Sequence, residues 1–220
     1  DQANSVIQTA DGGYLMAGFL DVTASGGQGN EGGRSLRHGV GEFWAIKTDS
    51  NGNFLWSRYF GGTDNDRAYA VIEADNGDLI MVGNTESDDF DIVNPRGSYD
   101  FWAVRITSEG EPAWAKNYGG SGAEIAYDIF KSQDGNYLIT GDTRSNDQDV
   151  TNALGNADGW RIKIDNNGQL LWQKNHGGSQ FDTGRVVTEL NNSSIFVSGT
   201  SRSDDFHVGG NNGQSGFWLY

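Results

Sequence analysis

DRAYAVIEADNGDLIMVGNTESDDFDIVNPRGSYDFWAVRITSEGEPAWAKNYGG, residues Asp66 to Gly120, holds four short apolar runs separated by turn residues. Ala68-Tyr69-Ala70-Val71-Ile72 reads as a first strand, and Asp75-Asn76-Gly77-Asp78 supplies the chemistry of a tight hairpin turn. Leu79-Ile80-Met81-Val82 is a second strand, apolar on both faces, ending at Gly83. After a polar loop, Phe101 to Ile106 alternates, with Trp102, Val104 and Ile106 on one face and Arg105 on the other. The turn Ser108-Glu109-Gly110-Glu111 leads into a fourth strand, Ala113 to Tyr118, which ends at Gly119-Gly120.

The same pattern recurs along the chain. Trp44, Trp102, Trp160 and Trp218 are each 58 residues apart, and so are Trp56, Trp114 and Trp172. Asp134-Gly135-Asn136, Tyr137 to Gly141, Gly159-Trp160 and Leu171-Trp172 repeat the columns of the quoted unit, as do Ile195 to Gly199 and Phe217-Trp218. Asp11 to Gly18 opens the chain in the same register. A fixed period of this size marks one supersecondary unit copied along the chain. Four antiparallel strands per unit are the blade of a β-propeller, so the expectation is an all-β β-propeller of four-stranded antiparallel blades with a 58-residue repeat. An open sandwich or a β-solenoid is the rival.

The pattern Gly-Gly-x5-Ala-Tyr, Asp-Gly-Asn-Tyr-Leu, Asp-Phe-Trp-Ala and Asn-Gly-x-Leu-Trp resembles the β-propeller repeats of bacterial secreted and cell-surface proteins. These are often called seven-bladed propeller-type repeats and occur in large exported proteins, including type IX secretion cargo. The resemblance spans essentially the whole chain and implies a scaffold or adhesive module. It carries no catalytic motif.

Blade 1 is expected at about residues 1–62, blade 2 at 63–120, blade 3 at 121–178 and an incomplete blade 4 at 179–220. Tyr220 falls in the middle of a third strand, so blade 4 lacks its outer strand. The region reads as part of a larger propeller, of roughly six to eight blades, or else as a small four-bladed ring. Unpaired ends would expose apolar inter-blade faces and a third-strand edge, an aggregation liability.

Composition bounds the function classes. The 220 residues include 33 glycines, two prolines and no cysteine, which excludes a disulfide framework and thiolate metal sites. A net charge of −15 argues against nucleic acid and anionic membranes as partners, and no run of 18 apolar residues is present to insert directly into a bilayer. The expected location is extracellular or at the cell surface. His38, His176 and His207 are scattered, and no nucleophile elbow, metalloprotease motif or phosphate-binding loop occurs, so no enzyme is expected. His176 stands in the column of Phe60 and Tyr118 and reads as an aromatic-sized filler.

Function, where it resides on the propeller, belongs to the longer loops on the face that carries the second-to-third-strand loops and the links between blades. Asp89 and Asp91 align with Asp147 and Asp149, and with Asp205 and His207. Asp89, Asp91, Asp147, Asp149 and Asp205, with Ser87, Ser145 or Ser203 two positions earlier, are candidate oxygen ligands for Ca²⁺. The alternative is that they cap a turn by accepting backbone N–H groups. No cofactor is otherwise required. A second acidic column, Asp1, Asp66, Glu124 and Asp182, either lines a channel mouth or caps the inter-blade turn after Gly61-Gly62, Gly119-Gly120 and Gly177-Gly178. The loop after Gly18 carries seven extra residues, 26 positions from Gly18 to Trp44 against 19 from Gly83 to Trp102. It is locally basic, and Arg34, Arg37 and His38 are candidate ligand-binding residues there. Non-core loop aromatics, Phe90, Tyr99, Phe181 and Phe206, are candidates for stacking on a sugar, with Asn94, Asn152, Asn211 and Asn212 as polar neighbours.

The residues thus point to a non-enzymatic scaffold or adhesion module with a protein or glycan partner at its loop face. The remaining blades or domains of a longer chain are its other expected partners. A lectin-like propeller, or an accessory region presenting substrate to a catalytic domain, are the alternatives.

Overall fold

The computed structural model describes residues 1–22, 39–211 and 215–219. Among them the regular elements are fifteen β-strands in four antiparallel sheets, each ordered as in the sequence. The first sheet is β1 (Gln2–Gln8), β2 (Tyr14–Asp21), β3 (Val40–Thr48) and β4 (Phe54–Phe60). The second is β5 (Asp66–Glu73), β6 (Leu79–Thr85), β7 (Asp100–Ile106) and β8 (Pro112–Tyr118). The third is β9 (Glu124–Lys131), β10 (Tyr137–Thr143), β11 (Asp158–Ile164) and β12 (Leu170–His176). The fourth has three strands, β13 (Asp182–Glu189), β14 (Ile195–Ser201) and β15 (Gly216–Leu219).

The repeat extends to irregularities. In every sheet the first strand carries a bulge at one column, at Asn4, Tyr69, Tyr127 and Arg185. The bulge drives a backbone carbonyl toward the end of the second strand. A Cβ on Gly18, Gly83, Gly141 or Gly199 would lie 1.9, 1.8, 1.9 or 1.8 Å from the carbonyl oxygen of Gln2, Arg67, Ile125 or Thr183. Only glycine fits such an approach. The glycine that reads in sequence as a strand terminator is therefore the partner of a bulge.

The strands pack as two compact units, Asp1–Pro95 with Trp102–Asn117, and Arg96–Phe101 with Tyr118–Tyr220. Their boundary departs from the repeat boundary for a local reason. Residues 96–101 bond to the link that follows the second sheet. Ser98 N–H donates to Gly122 C=O at 2.9 Å, Glu124 N–H donates to Tyr99 C=O at 2.9 Å, and Tyr99 forms a parallel bridge with Ala123.

Inside the first unit the faces of two sheets interlock. Leu15, Phe43 and Ala45 meet Val71, Met81 and Trp102 in one cluster, with each of these side chains at most 3 % exposed. The Phe43 and Trp102 rings sit 4.5 Å apart at 62°, an edge-to-face pair that adds about 0.5–1.5 kcal/mol beyond burial. In the second unit Phe101 and Trp160 repeat this contact at 4.6 Å. β6 and β10 are buried along their full length, as the doubly apolar second strand predicts. β7 is buried on both faces too. Its polar face is satisfied within the sheet, because Arg105 Nε donates to Asp78 Oδ2 at 2.8 Å and Nη2 to Asn76 Oδ1 at 2.9 Å. Alternation here encodes an ion pair to the hairpin turn and not a wet face.

Candidate functional site

The Gly-Gly link and the Asp-x-Asp loop are one construction. Asp66 is fully buried, and its Oδ2 accepts from Gly62 N–H at 2.8 Å and Ser87 Oγ–H at 2.9 Å. Ser87 Oγ in turn accepts from Asp64 N–H at 2.9 Å, and Asp89 Oδ1 from Thr63 N–H at 2.9 Å. Asp91 Oδ2 accepts from Gly61 N–H at 3.2 Å.

The next copy substitutes a longer acid and keeps the scheme. Glu124 Oε2 accepts from Gly120 N–H at 2.8 Å, while its Oε1 accepts from Thr143 and Ser145 hydroxyls at 2.7 Å each. Asp147 Oδ1 takes Ser121 N–H at 2.7 Å and Asp149 Oδ2 takes Gly119 N–H at 3.3 Å. Arg96 also pairs with Asp149 at 3.2 Å. In the last copy Asp182 accepts from Gly178 N–H, Ser203 and Ser201, and Asp205 Oδ1 accepts from Ser179 N–H at 2.7 Å. His207 has lost the second carboxylate, yet its backbone N–H still donates to Gly177 C=O at 3.1 Å. The close approach explains the second glycine of each link. A Cβ on Gly62, Gly120 or Gly178 would lie 2.4, 2.4 or 2.2 Å from an oxygen of Asp89, Asp147 or Asp205.

Asp89, Asp91, Asp147, Asp149 and Asp205, the candidate calcium ligands, are thus engaged as caps of the link between sheets. Burial pushes the Asp66 carboxyl up to about 6 and raises Glu124 as well, against the pull of their hydroxyl and N–H donors. The Ser121 N–H holds the exposed Asp147 carboxyl below its usual range. Among the described residues, no group of three or more His, Cys, Asp or Glu side chains is placed to hold a metal ion. Asp1, in the same column as Asp66, is exposed and accepts from Asp21 N–H at 2.9 Å instead.

The caps frame an unusual turn. Ile92 N–H closes on Asp89 C=O at 3.0 Å, Val150 on Asp147 at 2.9 Å and Val208 on Asp205 at 2.9 Å. The residue after the first aspartate has positive φ every time, Phe90 at 49°, Gln148 at 54° and Phe206 at 51°. Glycine is the ordinary occupant of such a position, and a bulky side chain there costs on the order of 1–3 kcal/mol. Phe90 is 47 % exposed, Phe206 70 %, and Gln148 is exposed as well. The caps hold a strained turn that points large side chains at solvent. Nothing in the sequence marks this, since a phenylalanine between two aspartates carries no φ signal.

The other candidates separate. Tyr99 and Phe181 are half-buried, Tyr99 in the parallel bridge described above and Phe181 bridged to Ala157, with the Arg202 guanidinium 5.6 Å from its ring. Asn94 and Asn152 take positive φ, and the Asn211 amide donates to Ser203 C=O at 3.1 Å. Arg34, Arg37, His38 and Asn212 lie outside the described residues. The tryptophans belong to packing: Trp102 and Trp160 are fully buried, and Trp44, Trp56, Trp114, Trp172 and Trp218 are half-buried.

His176 is fully buried, and burial pushes its imidazole down to about 3. An imidazole shifted so far down is a weak proton acceptor at neutral pH. It packs 4.9 Å from Trp218. No protein-family model matches the chain, and no curated protein matches it.

Proposed function

We propose that the four sheets are blades of a β-propeller that acts as a non-enzymatic binding module, presenting its Asp-x-Asp turns to a protein or glycan partner outside the cell. The propeller reading is supported by the shared bulge, the shared link network and the face-to-face contact of successive sheets. The binding reading rests on one observation: exposed phenylalanine rings at positive φ, in a chain with 33 glycines. Strain kept at an exposed site points toward a use for the side chain. Flat rings beside Asp and Asn side chains suit the apolar face of a sugar ring, so a glycan is the first ligand class to screen.

Phe90→Gly and Phe206→Gly, singly and combined, test the reading, because glycine relieves the turn while deleting the ring. The double variant is expected to keep its stability within about 1 kcal/mol and to lose binding on a glycan and extracellular-matrix protein array. Undiminished binding would remove the rings from the site. A large loss of stability would make them structural.

A further inference from the structure

Each link between sheets holds a second buried acid beside the capping one. Glu42, Asp100 and Asp158 form a further acidic column, 58 residues apart, near the starts of β3, β7 and β11. Their partners are the capping acids Asp66, Glu124 and Asp182, and all six side chains are at most 2 % exposed. A glycine shows how close the partners come. A Cβ on Gly61 would lie 2.0 Å from Glu42 Oε2 and 2.4 Å from Asp66 Oδ2, so the two oxygens are no further apart than those distances laid end to end. A Cβ on Gly119 would likewise lie 2.3 Å from Glu124 Oε2 and 3.3 Å from Asp100 Oδ1. At the third link an oxygen is left over: Asp158 Oδ1 is buried and accepts no hydrogen bond.

Two carboxylates this close in a dry place repel strongly when both are ionised, and one proton held by the pair removes the repulsion. We propose that each buried pair binds a single proton as a unit, and that this proton keeps the link closed over its Asp-x-Asp turn. The path from pair to turn is short. Gly62 N–H donates to Asp66 Oδ2 and Gly61 N–H to Asp91 Oδ2, so acids pushed apart pull on the caps beneath Phe90. Asp89 and Asp91 share the first link with the pair, and Asp147, Asp149 and the Arg96 guanidinium on Asp149 share the second. Asp205, His207 and the buried His176 flank the third. Burial raises Asp66, Glu124 and Asp158, and the charges of Asp100 and Asp182 add to the rise of the last two. The stability that the proton contributes is therefore complete at low pH and lost as pH climbs through the raised values. The proton itself is independent of the binding reading above; where the turn is the binding site, binding weakens over the same pH range.

The experiment follows the chain, Glu42→Gln and Asp100→Asn by infrared spectroscopy, amide NMR and urea denaturation from about pH 5 to about pH 9. The parent is expected to keep a protonated-carboxyl C=O band at about pH 5, where exposed carboxylates are ionised. The Gly62 and Gly120 amide resonances, which report on Asp66 and Glu124, are expected to shift as the band fades. Each amide variant is expected to remove its own pair's share of the band and to lose less stability toward alkaline pH than the parent, because the remaining carboxylate has no charged neighbour in the pair. Phe90→Gly is expected to keep the band, so a failure of the ring as a binding group leaves the proton in place. A parent without the band overturns the proposal. Variants that keep the whole band overturn it as well, and so do variants whose urea midpoints follow the parent's pH dependence, since a merely structural role lowers stability alike at both ends of the range.

Discussion

In the first unit the ring of Trp102 rests on Phe43; in the second, Trp218 rests on His176. The columns explain the exchange. Phe43 pairs across the ladder with Phe60, and the equivalent cross-strand pair in the third sheet is Gly159 with His176. Where one ring of the pair has shrunk to a hydrogen, the other swings into its space. A Cβ on Gly159 would lie 2.3 Å from His176 Nε2. The lesson is that the packing site is conserved in volume while the strand supplying it changes, and the substitute brings a titratable group into a dry place.

The largest expected effect breaks the contact in the first unit. Phe43→Ala leaves a cavity under Trp102 and is expected to cost about 3–5 kcal/mol, read by urea denaturation. A loss below about 1 kcal/mol would show that the edge-on pair is not what joins the sheets. Gly159→Ala probes the other unit, where the added Cβ would meet the fully buried imidazole. Overpacking is expected to cost about 1–3 kcal/mol, and adding His176→Ala should recover part of it. No recovery in the double variant would dissociate Gly159 from the imidazole.

A third test separates the two packings by pH. His176 titrates near 3 in the folded chain against an ordinary value of 6.5, so below 6.5 the unfolded chain binds the extra proton. Its contribution is therefore present above pH 6.5 and lost as pH falls toward 3, at up to about 1.4 kcal/mol per pH unit. Asp66 has the opposite sign: its carboxyl, raised to about 6 from 3.8, favours the folded state below pH 4 and loses that contribution as pH rises through 6. Glu124, Asp128, Asp142 and Asp158 are raised by burial as well and act in the same direction as Asp66. Comparing the parent with His176→Phe cancels the carboxylates. The variant is expected to lose less stability between pH 6.5 and 4 than the parent does, and equal pH slopes would mean that His176 is protonated without unfolding.

The smallest expected effect concerns the acidic loops common to both units. With the aspartates committed to backbone N–H donors, chelation is expected to leave the melting temperature unchanged. A calcium ion present at a hundred times its Kd would add about 2.7 kcal/mol, so a fall on chelation that Ca²⁺ reverses would reinstate the metal.

Much of this was legible in the residues. The tryptophan ladders, the Asn-Gly and Asp-Gly turns and the doubly apolar second strand place the strands observed, and the Ser-x-Asp-x-Asp loops are seen to cap turns, one of the two readings their composition allows. His176 was legible as a filler from its column. That it fills the space left by Gly159 was not, because the pairing requires the strand register. The exposure of Phe90 and Phe206 was expected, but their positive φ was not, since it is imposed by caps from residues 26 to 30 positions away in sequence.

What the sequence determines by itself is short-range: strand periodicity, turn chemistry and the 58-residue repeat, all of which depend on neighbours along the chain. What only the tertiary structure decides is the environment of otherwise equivalent residues. Asp66 and Asp1 share a column, as do Phe43 and Phe217, yet one of each pair is sealed from water and the other is not. Burial depends on what another sheet places against a side chain, and no local pattern carries that information.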